Sequence, residues 1–153
     1  MSDLKTLLMP ISRFVKTMDL SDAKKAEAEL NKQFPPASAE IQQIKKLAEE
    51  ALASGIICNR GEPGMKFSRV VKPQDDAGGC SIDAVFMENA SGPVHTHTKG
   101  EVCLCIPRSG DPKFEGRGEP WIVMIAGSRH VPTVTGGAML IIYWWPEGAV
   151  AWS

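Results

Sequence analysis

The chain has 153 residues, with 17 basic and 18 acidic side chains and a formal net charge of −1. This length suits one domain of ordinary size. The balanced charge, without any basic run, excludes the electrostatic footprint of a nucleic-acid-binding protein. No apolar stretch approaches the roughly 18 residues of a membrane span, and the first residues do not resemble a secretory signal. We therefore expect a soluble, cytoplasmic protein with reduced thiols and no nucleic-acid or membrane partner.

The first third of the chain, residues 1–54, predicts helices. It contains no glycine and no tryptophan, whereas all 14 glycines and all 4 tryptophans follow it. Its acidic and basic residues balance and are typical of solvated helix faces. We predict that residues 1–54 form a helical segment that packs on the rest of the chain or on a dimer partner.

Three helices are expected in this segment. The first runs to about Met18 and is interrupted or kinked at Pro10. The second spans Asp22 to Gln33. The third spans Ala39 to Ala53, with Ser38 as its N-cap.

Residues 55–153 predict short strands separated by turns. Residues 80–87 alternate between polar and apolar, and residues 111–120 read as a long polar loop. About eight short strands at this spacing favour an antiparallel sandwich or barrel. The run from Ala138 to Trp145 is apolar on both faces, so one face should line the interior and the other should be covered. The helical segment or a second subunit could supply that cover, which favours a homodimer.

All three histidines of the chain lie where a metal site would need them. His95 and His97 are two residues apart, so on a strand their side chains point to the same face. Glu101 is an even number of residues from both histidines and would share their face on an uninterrupted strand, although an intervening turn leaves its direction open. His130 follows a segment that contains glycine. Three imidazoles and a carboxylate suit a divalent ion such as iron, manganese, zinc or nickel, with positions left open to substrate. These four residues are therefore the predicted metal ligands.

The spacing His95-x-His97-x3-Glu101, followed by Gly127-x2-His130, resembles the cupin superfamily, whose small β-barrel holds a metal in its mouth. The ligand positions match that pattern, but its turn residues do not. The glycine expected with five residues between it and the first histidine falls at Asn89, and the asparagine expected four residues after the last histidine falls at Val134. The resemblance implies a mainly β fold: a cupin-like antiparallel β-barrel (double-stranded β-helix), residues 55–153, preceded by the N-terminal α-helical segment.

A narrower resemblance covers most of the strand-rich region. The segments 65–71, 92–101, 127–137 and 146–149 look like the 4-hydroxylaminobenzoate lyase family. Members of that family act in bacterial nitroaromatic degradation. The resemblance implies a carbon–nitrogen lyase that converts 4-hydroxylaminobenzoate, or a related hydroxylamino aromatic acid, to protocatechuate and releases ammonia.

That reaction suggests roles for particular side chains. Glu101 would be either the fourth metal ligand or the catalytic proton carrier, and these roles compete because a ligating carboxylate is a poor base. Arg69 and Arg129 are candidates for pairing with the substrate carboxylate. Arg69, on a predicted strand inside a matched segment, is also counted as a catalytic candidate.

Aromatic and thiol side chains add two further candidates. Trp144, together with Trp145, would offer a ring face to an aromatic substrate, although core packing is common at this spacing. Cys103 and Cys105 share the parity of Glu101 and are expected to be small buried residues. A thiolate ligand from either would instead make the site a closed structural zinc.

Three alternative functions stay open at the level of sequence. A cupin-type iron dioxygenase would use an identical ligand set. The same residues would also serve metal-free acid–base catalysis. A non-catalytic cupin that binds a metal or a small molecule would use the helical segment to contact a partner. A requirement for oxygen would identify the first of these.

Overall fold

The computed structural model describes residues 2–75 and 78–152. Three helices come first: α1 Ser2–Thr17, α2 Ala23–Gln33 and α3 Ala39–Ala53. The strands follow: β1 Arg60–Glu62, β2 Met65–Val71, β3 Cys80–Ser91, β4 His95–His97, β5 Glu101–Phe114, β6 Trp121–Met124, β7 Ser128–His130, β8 Thr133–Pro146 and β9 Ala151–Trp152. A short 3-10 helix spans Pro73–Asp75. Within the described residues, none of the helices is both long enough and apolar enough to cross a membrane.

The strands form two antiparallel sheets. Six strands lie in the order β1-β2-β3-β8-β5-β6, and three lie in the order β7-β4-β9. A cavity lined by residues of both sheets lies between them. The predicted cupin-like architecture, mainly β and antiparallel with an N-terminal helical segment, is thereby confirmed.

The helices form where an apolar face meets a cap. In α1 the spacing of Leu4, Leu8, Ile11 and Val15 puts all four on one face, and each is at most 2% exposed. Of the two predicted alternatives at Pro10, the interruption is wrong, since α1 continues through it to Thr17, and the kink stays a prediction. Burial of the apolar face offsets the roughly 3 kcal/mol that an internal proline costs.

Side-chain N-caps begin α2 and α3. The Ser38 hydroxyl accepts from the N–H of Ile41 at 3.3 Å, which confirms Ser38 as the cap of α3. Asp22 caps α2 from the position before the helix by accepting from the N–H of Lys25. That helix therefore begins at Ala23, one residue later than predicted.

The two faces of the six-stranded sheet bury different residues. The outer face packs against the helices in one continuous apolar core that includes Trp121, Trp144 and Leu104. The inner face carries a second cluster: Met87, Cys103, Cys105, Phe114, Ile122, Val134, Met139 and Ile141. The predicted two-sided burial of β8 is confirmed, and the helices supply the outer cover. The division of the chain into regions 1–54 and 55–153 stays a prediction.

A long, irregular strand replaces part of a predicted loop. The predicted loop at residues 111–120 is wrong at its start, because β5 continues to Phe114. Its register with β8 shifts twice, between Pro107 and Ser109 and between Gly110 and Lys113. Such register shifts arise where one strand has extra residues relative to its partner. These irregularities are β-bulges, which bend a strand without ending it. At one shift a Cβ on Gly137 would lie 2.1 Å from the Ser109 carbonyl oxygen, so only glycine fits there.

A buried carboxylate attaches α2 to β6. Glu27 accepts hydrogen bonds from Nη1 and Nη2 of Arg117 at 2.7 and 2.8 Å and from the N–H of Val123 at 2.9 Å. Its side chain is only 9% exposed. Burial raises the pKa of Glu27, but these hydrogen bonds outweigh burial, and the net pKa lies below its ordinary value.

Candidate metal centre and its cavity

The three-stranded sheet brings the histidines together. β4 lies in its middle, and His95 stands directly opposite His130 on β7. Because side chains alternate along a strand, His95 and His97 face the same side of β4, as predicted. The N–H groups of Gly100 and Gly127 donate to the His97 carbonyl oxygen at 3.2 and 2.7 Å, which holds the ends of both neighbouring loops.

The ring nitrogens of the three histidines converge on one point. Nε2 of His97 lies 3.1 Å from Nε2 of His95 and 2.8 Å from Nε2 of His130. One ligand atom from each residue lies within 4.8 Å of the others. Burial, with the neighbouring His95 and His130, lowers the pKa of His97 to about 3. His97 is therefore neutral and able to present a lone pair.

The donor set fits a divalent metal ion. Nδ1 of His95 lies 2.9 Å from the Pro93 carbonyl oxygen, to which it can only donate. That contact leaves the lone pair of His95 on Nε2, as in a metal-ligating histidine whose other nitrogen is held by a carbonyl. Neutral rings cannot satisfy three converging nitrogens with hydrogen bonds alone, whereas one cation satisfies all of them.

Glu101, at the start of β5, lies beside this cluster. Its Oε2 is 3.6 Å from Nε2 of His97. The Trp145 indole N–H donates to Oε2, and the Cys103 thiol donates to Oε1 at 3.0 Å. Burial raises the pKa of Glu101 to about 7, although both hydrogen bonds oppose that shift. Whether Glu101 serves as fourth ligand or as acid–base group stays a prediction.

The cluster lies at the wall of a cavity of about 510 Å³. Most of the lining is apolar, which suits the flat ring of an aromatic molecule. The apolar and aromatic lining residues are Met65, Phe67, Val85, Met87, Pro93, Phe114, Pro132, Ile141, Tyr143, Trp145 and Trp152. The polar lining includes His95, Glu101 and Cys103 near the metal centre, and Arg69 and Asp83 elsewhere.

A row of polar residues crosses the inner face of the large sheet. In register, Arg69 on β2 lies beside Asp83 on β3, then Tyr143 on β8, then Cys103 on β5. At about 4.8 Å a strand, Arg69 stands roughly 14 Å along the sheet from Cys103. Arg69 and Cys103 therefore line parts of the cavity that are three strand spacings apart.

Arg69 is held by a buried carboxylate. Nε and Nη2 of Arg69 donate to Oδ1 and Oδ2 of Asp83 at 2.8 and 3.2 Å. Burial raises the pKa of Asp83 despite the guanidinium beside it. The Arg69 side chain remains 42% exposed. The Asp83 contact therefore fixes one edge of the guanidinium and leaves Nη1 on the other.

The structure corrects two of the predicted substrate contacts. Trp144 is fully buried in the helix-facing core, and its indole donates to the Ser12 hydroxyl at 3.0 Å. Its neighbour Trp145 lines the cavity instead. Arg129 is exposed and lies between two positions of β7 that face the site, outside the cavity lining. Alternation along the strand points both side chains away from the cavity.

Asp83 and Trp152 are among the lining residues that were missed from the sequence. Asp83 is at a position of β3 whose side chain faces inward, but its pairing with Arg69 depends on a strand register that only the fold supplies. Trp152 lies in β9, and the centre of its ring is 5.2 Å from the centre of the His95 ring. Its signal, one aromatic residue near the end of the printed sequence, does not separate a site residue from a surface residue.

Comparison with known proteins gives consistent matches. The family model for PnbB, 4-hydroxylaminobenzoate lyase, matches residues 9–152. A 4-hydroxylaminobenzoate lyase of Pseudomonas putida is 26% identical over 159 aligned positions, covering 93% of this chain and 90% of that protein. One of Nocardioides sp. (strain LMS-CY) is 26% identical over 132 positions, covering 80% and 78%.

Among solved structures, an RmlC-like cupin protein from Ralstonia eutropha matches with a TM-score of 0.41 and 15% identity. The match covers 54% of this chain and only 56% of that chain, and so remote a likeness supports no argument about function. The family model, in contrast, matches nearly the whole sequence. This chain belongs to the 4-hydroxylaminobenzoate lyase family.

Proposed function

We propose that this protein is a metal-dependent carbon–nitrogen lyase that converts 4-hydroxylaminobenzoate, or a related hydroxylamino aromatic acid, to protocatechuate and ammonia. The observation that carries the proposal is the cavity itself. It is an apolar space with a three-histidine centre at one wall and a guanidinium at the far end of a polar row. An aromatic acid with a nitrogen substituent has the matching polarity at its two ends.

The reaction consumes one water in net terms. The N–O bond breaks and hydroxide leaves, one water adds to the ring carbon next to the nitrogen-bearing carbon, and a second water displaces ammonia from the resulting imine. Loss of the ring proton then restores the aromatic catechol. A divalent ion held by His95, His97 and His130 would supply Lewis acidity toward oxygen in this sequence.

Glu101 is the acid–base group best placed for these proton transfers. It is buried at the cavity wall, 3.6 Å from His97, and its pKa lies near 7. A carboxyl with such a pKa can donate a proton to a departing hydroxide and later accept one from water. The hydrogen bonds from Trp145 and Cys103 orient it for that work.

Arg69 is proposed to bind the substrate carboxylate. Asp83 already occupies two of its donors, so the pairing would use the remaining edge of the guanidinium. Asp83 acts here as a positioning residue, because it fixes the plane of the guanidinium and contacts the cavity beside it.

Replacing Arg69 by alanine should raise KM for 4-hydroxylaminobenzoate about 10- to 100-fold, the usual value of a charge-assisted hydrogen bond. The kcat should change much less, because Arg69 is remote from the reacting nitrogen. Arg108, which pairs with Glu49 of α3 at 3.1 Å, gives the matched control Arg108→Ala. Steady-state kinetics on both variants would check this, and an unchanged KM for Arg69→Ala would remove Arg69 from the site.

The proposal as a whole is tested by an anaerobic assay of the purified, metal-loaded protein with 4-hydroxylaminobenzoate, following ammonia and catechol. We expect equal amounts of ammonia and protocatechuate without oxygen. Turnover only with oxygen would support the dioxygenase instead. If the metal-loaded protein has no activity with or without oxygen, the result would support a non-catalytic binding protein.

Two further expectations belong to this proposal, a cytoplasmic location and a homodimer. Exposed apolar side chains outside the cavity lining, such as Ile56 and Val131, offer surface for a second copy. Analytical ultracentrifugation of the purified protein would measure the mass, and a monomer at micromolar concentration would refute the dimer.

A further inference from the structure

A two-residue edge strand carries a tryptophan to the mouth of the cavity. β9 pairs with β4 and places Trp152 opposite His95. The Trp152 ring lies 5.2 Å from that of His95 and 6.2 Å from that of Trp145, with an edge-to-face angle of 69° to the latter. Trp152 thus forms one wall of the cavity directly beside the metal centre.

The exposure of this ring is unusual for a tryptophan. Trp152 is 62% exposed, although it contacts two buried aromatic rings. Phe67, on β2 of the opposing sheet, lines the same cavity and is 45% exposed. The other large apolar side chains found exposed in the described residues, Ile56, Ile125 and Val131, lie outside the lining. Exposed rings placed at a cavity rim, from both sheets, mark a surface that a ligand covers.

The turn before β9 fixes the position of Trp152. Glu147 and Gly148 both have left-handed backbone conformations, with φ of 57° and 66°. A Cβ on Gly148 would lie 2.6 Å from Cγ of Pro73, so the turn packs closely on the segment after β2. This turn carries the chain from β8 of the large sheet to β9 of the small one. Trp145 before the turn and Trp152 after it therefore form adjoining walls, one buried and one exposed.

We propose that Trp152 is a specificity-determining residue that packs against the ring of a bound aromatic acid and selects flat, aromatic ligands over saturated ones of the same charge. The inference deepens the proposed function and rests on it for the ligand class. A ligand ring in the cavity would cover the exposed indole face and bring it into aromatic contact. Phe67 would cover the same ligand from the other rim.

The test compares two unreactive carboxylic acids, 4-hydroxybenzoate and cyclohexanecarboxylate, by isothermal titration calorimetry on the metal-loaded protein. Trp152→Ala should weaken binding of 4-hydroxybenzoate about tenfold, while cyclohexanecarboxylate changes less than about twofold. Trp152→Phe, which keeps a ring, should restore most of the affinity. Ile125→Ala, which removes an exposed apolar side chain outside the cavity, is the matched control.

Two results would overturn the inference. One is an unchanged affinity of Trp152→Ala for 4-hydroxybenzoate. The other is an equal loss for both acids, which would indicate a structural role for Trp152. Since calorimetry requires no turnover, the inference is tested separately from the lyase. Binding that depends on Trp152 without release of ammonia would refute the proposed reaction alone. An active lyase whose preference for aromatic over saturated acids is unchanged in Trp152→Ala would refute the inference alone.

Discussion

Replacing His97 by alanine is expected to remove bound metal and lyase activity together. His97 is unexposed, and its Nε2 lies within 3.1 Å of both other ligand nitrogens. Metal affinity should fall by more than the roughly 10- to 100-fold seen when a residue that only supports a ligand is lost. Activity should fall by about a thousandfold, since the cation contributes several kcal/mol. Elemental analysis and the ammonia assay measure the two effects.

Thr96 provides the matched control for that experiment. It lies between His95 and His97 on β4, and alternation directs its side chain to the opposite face. Thr96→Val keeps the β-branched shape of the residue and should retain metal and activity. A His97→Ala protein that is folded, free of metal and still active would refute the assigned centre.

Replacing Glu27 by glutamine should destabilise the fold without touching the cavity. Glu27 accepts three hydrogen bonds from Arg117 and Val123, and its side chain is nearly buried. The amide would place N–H donors against the N–H donors of Arg117 and Val123, and Arg117 would keep only its longer contact with Glu119 at 3.3 Å. We expect a cost of about 2–3 kcal/mol in the free energy of unfolding. A chain of this size should then melt roughly 5–10 °C lower.

The effect of Glu27 should also depend on pH with a definite sign. Because the folded pKa of Glu27 is lowered, its ionisation contributes stability above the unfolded pKa of about 4.5, and that contribution is lost as pH falls through the folded value. The gap between wild type and Glu27→Gln should therefore be full at pH 7 and shrink below pH 4.5. Glu29→Gln, on the same helix, is the control for thermal melts followed by circular dichroism. A gap that widens in acid would contradict the assignment.

The sequence predicted well wherever local periodicity decides the structure. Ser38 before an apolar-periodic run predicted the start of α3, and it caps that helix. The spacing of His95 and His97 predicted a shared strand face, and the two rings meet with His130. Both predictions need only the repeat of a helix or a strand. Neither depends on which distant segment lies alongside.

Predictions failed where long-range register decides. Trp144 and Trp145 are adjacent in a strand that is apolar on both faces, so composition could not say which of them faces the cavity. The Glu27–Arg117 pair joins residues 90 positions apart, and no local pattern indicates it. Residues 111–114 read as loop because bulges around Gly110 carry the glycines and prolines that ordinarily end a strand.

Leu20, between α1 and α2, links the helices to the loops beside the metal centre. Its carbonyl oxygen accepts from the N–H of Ala126 at 2.9 Å, and a Cβ on Gly100 would lie 2.9 Å from its side chain. Gly100 itself, and Gly127 directly after Ala126, both donate their N–H to the carbonyl oxygen of His97. A cation held by the three histidines would therefore stabilise the docked helices. By the same thermodynamic cycle, detachment of the helices would weaken binding of that cation by an equal free energy.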